Sequence, residues 1–275
     1  MAYAGDQVEG RRLPAVVGGI IAASVMGGLV GRVVGGVIAS AAGWRTSFAV
    51  FGAVTLACAA LLARGLDGAR REPIGWRVAY AGMLAHLVER RLVGAFLIGF
   101  SLFFGFIGIF TYLPYHLSGA PYRLSTALVS SVYLVYLAGV VVSPIAGRLA
   151  GRFSPRLLMG VGLVVAGAGM GATLLGPLGA IVLGLVILCV GMFTTQAIAP
   201  GFVNTSARSA KGGANALYLC FYYVGGTLGS VLPGMAWQAW RWPGVVGVCA
   251  ASLALALASD AVLCGGAPAA RTAGS

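Results

Sequence analysis

A chain of 275 residues that is 59% hydrophobic and only 9% charged is not a soluble globular domain, because so few polar groups cannot cover so much apolar surface. Its net charge of +12 does not mark a nucleic-acid binder either, since the cations are scattered among loops and not gathered on one soluble face. The apolar runs are continuous and long, which excludes a transmembrane β-barrel, whose strands need only about 10 alternating residues.

A helix needs about 20 mostly apolar residues to cross a bilayer. Eight such segments are expected, at 14–40, 46–64, 92–115, 125–147, 156–175, 179–203, 213–236 and 243–264. The chain therefore reads as an all-α polytopic membrane protein. Residues 1–13 lack the charged, apolar and cleavage regions of a secretory signal peptide. The first span carries the glycine-dense stretch GGLVGRVVGGVIASAAGWR, residues 27–45. Gly27, Gly31 and Gly35 recur every fourth residue and make a smooth face that a neighbouring backbone can approach. Arg32 lies within this span, where a lone arginine costs roughly 2.5–3.5 kcal/mol on insertion scales. Two readings stand for it: an anion, substrate or gating contact, or a packing arginine bonded to backbone carbonyls. Gly43-Trp44-Arg45 forms a tight external turn into the second span.

Residues 65–91 are the one long loop. From Ile74 it becomes amphipathic and reads as a helix lying on the membrane surface, with His86 a solvated surface histidine. The third span is aromatic-rich and places Thr111, Tyr112 and His116 near its outer end. The fourth carries Tyr133 and Tyr136, one turn apart, and leaves through GRLAGRFSPR, residues 147–156. The fifth is rich in glycine and alanine. The sixth carries the polar belt Thr194, Thr195 and Gln196, and the seventh Tyr218, Tyr222 and Tyr223, followed by Gly225 and Gly229. Asn215 reads as a helix-end residue. Asp260 is the one acid of six inside a span and is expected near the membrane interface. The five cysteines show no ligand-like spacing and read as packing residues, so no metal or cofactor is expected.

The cations sort by side. Fourteen of the 18 fall in loops on one side, Arg45, Arg123 and Arg241 on the other, and Arg32 within the membrane. The positive-inside rule then places both termini in the cytoplasm, with anionic lipid as a general partner. The sequence also repeats. Gly31-Arg32-Val33-Val34-Gly35-Gly36 aligns with Gly229-Ser230-Val231-Leu232-Pro233-Gly234, and Trp44-Arg45 with Trp240-Arg241. A repeat at this distance fits a duplicated bundle of membrane helices.

At GRLAGRFSPR the sequence resembles the major facilitator superfamily, twelve-helix transporters made of two six-helix halves. The family motif G-x-L-A-D-R-x-G-R-R/K is matched by Gly147, Leu149, Ala150, Arg152 and Arg156, with Arg148 between them. Gly151, Ser154 and Pro155 depart from it. Gly31-Arg32-x-x-Gly35-Gly36 is similar to the fifth-helix antiporter motif G-P-x-x-G-G, with arginine in place of proline. This form looks like the branch of bacterial inner-membrane efflux permeases related to drug:proton antiporters.

The resemblance implies that the eight spans correspond to helices five to twelve and that the chain is N-terminally truncated. Residues 1–64 would be the remnant of the first bundle, 65–91 the linker, 92–264 the six-helix second bundle and 265–275 a cytoplasmic tail. It implies a non-enzymatic role in moving a small organic molecule by alternating access, with efflux the expected direction and a proton a candidate coupling ion. A truncated remnant or regulatory partner that does not transport alone is the alternative. Arg32, Tyr112, Tyr133, Tyr136, Gln196, Tyr218 and Tyr222 are the substrate-pathway candidates. Gly147, Arg148, Arg152 and Arg156 would form the cytoplasmic gate motif.

Overall fold

The computed structural model describes residues 23, 26–28, 30–31, 34–39, 41–65, 82–207 and 209–265. Arg32, most of the first expected span, the loop from 66 to 81 and the tail lie outside the described residues. All regular structure among the described residues is helical. Among the described residues, six helical segments are long and apolar enough to cross a membrane.

The elements are α1 (Trp44–Gly65), α2 (Arg90–Ser118), α3 (Thr126–Val132), a 3₁₀ turn (Tyr133–Tyr136), α4 (Leu137–Leu149), α5 (Pro155–Ala172), α6 (Leu178–Ser206) and α7 (Lys211–Val262). Local chemistry sets several of the starts. The Ser125 hydroxyl accepts from the Leu128 N–H and caps α3. Pro155 opens α5, where a missing N–H costs nothing. The span expected at 125–147 is α3, the 3₁₀ turn and α4 run end to end.

α7 holds 52 residues. A straight helix of that length would be about 78 Å long, more than twice the ~30 Å hydrocarbon core. Arg241, at φ 52 and ψ −140, breaks it into two arms, 211–240 and 242–262. The arms run in opposite directions along α2. Gly225 and Gly229 of the first arm meet the carbonyls of Phe100 and Phe104, so that arm runs parallel to α2. In the second arm the order reverses. Trp242 stacks on His116, Ser252 donates to the Ser101 carbonyl at 3.4 Å, and Cys264, just beyond the arm, lies against Gly94.

The first expected span ends in the same way. Gly43, at φ 86, separates residues 41–42 from α1, and the Ser47 hydroxyl reaches back to the Gly35 carbonyl at 3.2 Å. Both turns thus pivot on one residue of positive φ and carry an arginine over a tryptophan, Arg45 over Trp44 and Arg241 over Trp237.

The core runs from Leu92 to Cys264 around α2, 15 of whose 29 residues are buried, whereas α1 is almost wholly exposed. Trp242 anchors the turn of α7 by donating its indole N–H to the Thr173 carbonyl at 3.1 Å. α5 and α6 form an antiparallel pair through glycine. Gly162 faces Gly191 and Thr195, and Gly169 faces Gly184 and Leu188, at backbone-to-backbone contact.

His86 is a correction. It is 4% exposed rather than solvated, and its Nε2–H donates to the Ala210 carbonyl at 3.3 Å. The end of the loop folds inward because Gly82 and Met83 pack on Ala210 and Gly213, which encloses the imidazole beside the start of α7.

Candidate functional site

One face of α2 organises the candidate pathway. Gly99, Phe103, Phe106 and Phe110 recur at four, three and four residues, a single helical stripe about 16 Å long. The candidate tyrosines attach to this stripe from two sides. From α7, Tyr218 lies flat on Gly99, where a Cβ would come within 2.6 Å of its ring. One turn on, Tyr222 stacks on Phe103 with centroids 4.0 Å apart and planes 10° apart. Gly226 makes room for that ring, since a Cβ there would collide with Phe103.

From the 3₁₀ turn, Tyr136 packs against Phe106 at 5.1 Å and edge-on to Phe110 at 4.6 Å. Tyr133 donates its hydroxyl to the Phe110 carbonyl at 3.0 Å. The 3₁₀ geometry matters here. Its tighter winding turns Tyr133 and Tyr136 onto the same side, three residues apart. Phe193 of α6 completes the cluster by lying on Gly139 of α4, 5.7 Å from Phe106.

Gln196 joins the two sides. Its side-chain oxygen accepts from the Tyr218 hydroxyl at 3.0 Å, linking α6 to α7. Thr195 instead pins α6 to α5 through the Met159 carbonyl at 3.2 Å, and Thr194 bonds within its own helix to Val190. Tyr112 lies higher on α2, beside Tyr115 and Trp237, and donates to the Ser230 carbonyl at 3.0 Å. The structure therefore brings Tyr133, Tyr136, Gln196, Tyr218 and Tyr222 into one aromatic ladder and sets Tyr112 in a neighbouring cluster.

Phe103, Phe106, Phe110 and Phe193 belong to the ladder and were not singled out from the sequence. The 103–106–110 spacing carried the signal for three of them. Phe193 carried none, because only the opposing Gly139 places it. The surface is apolar and π-rich, with hydroxyls and one amide at fixed points and no charged side chain among these ladder residues. Such a surface holds planar apolar groups by stacking and orients them by a few hydrogen bonds.

The remaining candidates are placed as follows. Gly225 and Gly229 seat the first arm of α7 on α2, and Gly35 lies against the Phe51 ring at 3.2 Å. Among the described residues, none lies within 4 Å of a Cβ added at Gly27 or Gly31. Arg148 and Arg152 are exposed and Gly147 faces open space. Arg156 reaches the end of α7, where it donates to the carbonyls of Asp260 at 3.1 Å and Ala261 at 3.0 Å. No group of three or more potential metal ligands occurs among the described residues.

The sequence profile of the Major Facilitator Superfamily matches residues 1–210. The chain belongs to the major facilitator superfamily. An uncharacterised MFS-type transporter of Bacillus subtilis, YybF, is 31% identical over 262 residues, which is 94% of this chain and 64% of that protein. The inner membrane transport protein YnfM of Escherichia coli is 30% identical over 262 residues, 94% of this chain and 62% of its own length. An uncharacterised transporter of Buchnera aphidicola is 29% identical over 248 residues, 89% of this chain and 60% of its own length. The chain thus spans less than two thirds of the length of these superfamily relatives. Within the superfamily, the helices that carry the ladder form part of a multi-pass membrane protein, in keeping with the apolar helices above.

Proposed function

We propose that the chain acts within a major facilitator transporter that moves a small organic molecule across the bacterial inner membrane by alternating access, in the outward direction. The observation that carries this reading is the uncharged aromatic ladder on α2. Its rings and hydroxyls from α6, α7 and the 3₁₀ turn form a stacking surface suited to apolar or aromatic cargo.

In this reading the two arms of α7 are separate spans, and the hairpin around Gly43 is the first-bundle counterpart of the hairpin around Arg241. The described helices then correspond to spans five to twelve of the family plan, with the arginine-rich loops and both termini on the cytoplasmic face. The names of the superfamily relatives support transport in general. The G-R form of the glycine motif supports the drug:proton antiporter branch and a proton as coupling ion.

The test uses everted membrane vesicles from cells carrying the gene in its genomic context. An imposed proton gradient is expected to drive uptake of a planar aromatic dye, and Tyr222→Ala is expected to reduce that uptake at least several-fold. Equal uptake by vesicles with and without the protein, over a panel of dyes, would sink the proposal.

A further inference from the structure

The segment just before α2 is docked on the corner between α6 and α7. Residues 82–85 are helical and lead into turns. The N–H groups of His86, Leu87, Val88 and Glu89 donate to the carbonyls of Met83, Leu84, Ala85 and His86, so a continuous run of bonds carries this segment into α2. His86 is buried, and its Nε2 lies 3.3 Å from the Ala210 carbonyl oxygen. That carbonyl is the first of α7, since it also accepts from the Gly213 and Ala214 N–H groups. Gly213 permits the close approach, because a Cβ there would lie 3.4 Å from the Met83 Cβ. Ala210 itself stands at φ 44 and ψ 44, a left-handed conformation that alanine seldom adopts, so contacts from outside hold the corner in shape.

The corner bounds the ladder on one side. On α6, Gln196, Pro200 and Asn204 recur every four residues and share a face. Gln196 holds Tyr218 at the ladder. Two turns on, Asn204 Oδ1 accepts from Asn215 Nδ2 at 2.6 Å, and the same amide donates to the Lys211 carbonyl at 3.2 Å. The seam between α6 and α7 is thus bridged once at the ladder and once at the corner. Pro200 lies between the bridges. It has no N–H for the Gln196 carbonyl, so α6 loses a rung there, and Gly201 follows directly. Residues 201–206 are therefore a short end segment hinged one turn beyond the ladder. They are held by the Asn204–Asn215 pair and, through residues 207–210, by the corner that His86 grips.

We propose that residues 82–88 act as a strap, with His86 the positioning residue that keeps the end of α6 against α7. Docked, the strap fixes Ala210 and limits how far residues 201–206 swing about Pro200 and Gly201. Undocked, the Asn204–Asn215 pair alone opposes the swing, and the seam opens beside Gln196 and Tyr218. The strap is also the covalent link from the first hairpin to α2, so a displacement of that hairpin has a direct route to the ladder. The use of the strap rests on the ladder being the cargo path, as proposed above. Its test carries no cargo, so the strap can fail where dye uptake succeeds, and the reverse.

The full chain, purified in mild detergent, is followed by hydrogen–deuterium exchange with mass spectrometry. His86→Ala is expected to speed amide exchange in residues 201–206 at least fivefold and to leave residues 178–195 of the same helix unchanged. His86→Gln, which keeps an Nε2–H donor, is expected to restore most of the protection. A second variant leaves His86 in place. Met83→Cys with Gly213→Cys, the exposed Cys58 and Cys220 replaced by alanine, sets two Cβ atoms close to the spacing of a disulfide. Oxidation of this pair is expected to slow exchange in 201–206 at least fivefold, and reductant to reverse it. Unchanged exchange in His86→Ala, a rise spread evenly along α6, no recovery in His86→Gln, or no effect of the disulfide would each overturn the proposal.

Discussion

The Tyr218 hydroxyl donates to Gln196 Oε1 across 3.0 Å, and the ring beneath it lies fully buried on Gly99. This bond links the sixth and seventh helices at the level of the aromatic ladder. Tyr218→Phe removes the donor and strands the amide oxygen, at an expected cost of about 1–3 kcal/mol. A double-mutant cycle with Gln196→Ala, read by denaturant unfolding in detergent, should return a coupling of at least 0.5 kcal/mol. Additive single effects would show that the bond carries no energy.

The glycine pair of α5 and α6 should tolerate no side chain. A Cβ on Gly191 would collide with the backbone of Gly162 and Ala166. Gly191→Leu is therefore expected to lower stability by 1–3 kcal/mol or more, as overpacking does. Gly167 lies on the same helix as Gly162 with nothing within 4 Å, and Gly167→Ala should be neutral or slightly stabilising. Thermal unfolding of the two variants side by side checks the contrast.

Arg241 occupies a backbone conformation that suits glycine, and such strain costs of order 1–3 kcal/mol. Arg241→Gly is expected to raise stability by about 1 kcal/mol, with part of the gain offset by glycine's chain entropy and the lost contact with Trp237. Arg241→Ala keeps the strain, loses the contact and should lower stability. Opposite signs for the two variants in one unfolding assay support the account, and equal signs refute it.

Arg32 has a serine, Ser230, at its repeat-equivalent position, so the repeat's packing does not require a charge there. Arg32→Ala is expected to reduce dye transport at least several-fold in the vesicle assay, whereas Arg45→Ala leaves it near wild type. Matching activity in both variants would assign Arg32 no part in the pathway.

The helical class and most spans were legible because uninterrupted apolar runs report bilayer thickness directly. The turn at Gly43 was legible because glycine announces a positive φ. Its counterpart was placed by Trp240-Arg241, but nothing in an arginine codon forecasts φ 52, which tertiary packing around Trp242 imposes. Tyr218, Tyr222 and Gln196 were legible as polar residues in apolar spans. Phe193 was not, because its place depends on a glycine on another helix. His86 was misread for the same reason. Its amphipathic surroundings look like a solvated face until Ala210 folds against them. The α5–α6 glycines repeat at seven residues in each helix, 162 and 169 against 184 and 191, a pattern present in the sequence and passed over there.

The backbone contacts of Gly225 and Gly229 on α2 have a mechanical consequence. Sliding the first arm of α7 by one residue would push a side chain into the Phe100 or Phe104 carbonyl. The second arm packs along α2 in the other direction, so contacts on both arms tie the three segments together. A rearrangement that opens and closes the ladder must then be taken up where the backbone is least regular. In the ladder itself that place is Tyr133–Tyr136, whose 3₁₀ winding sits beside the rings it would have to release.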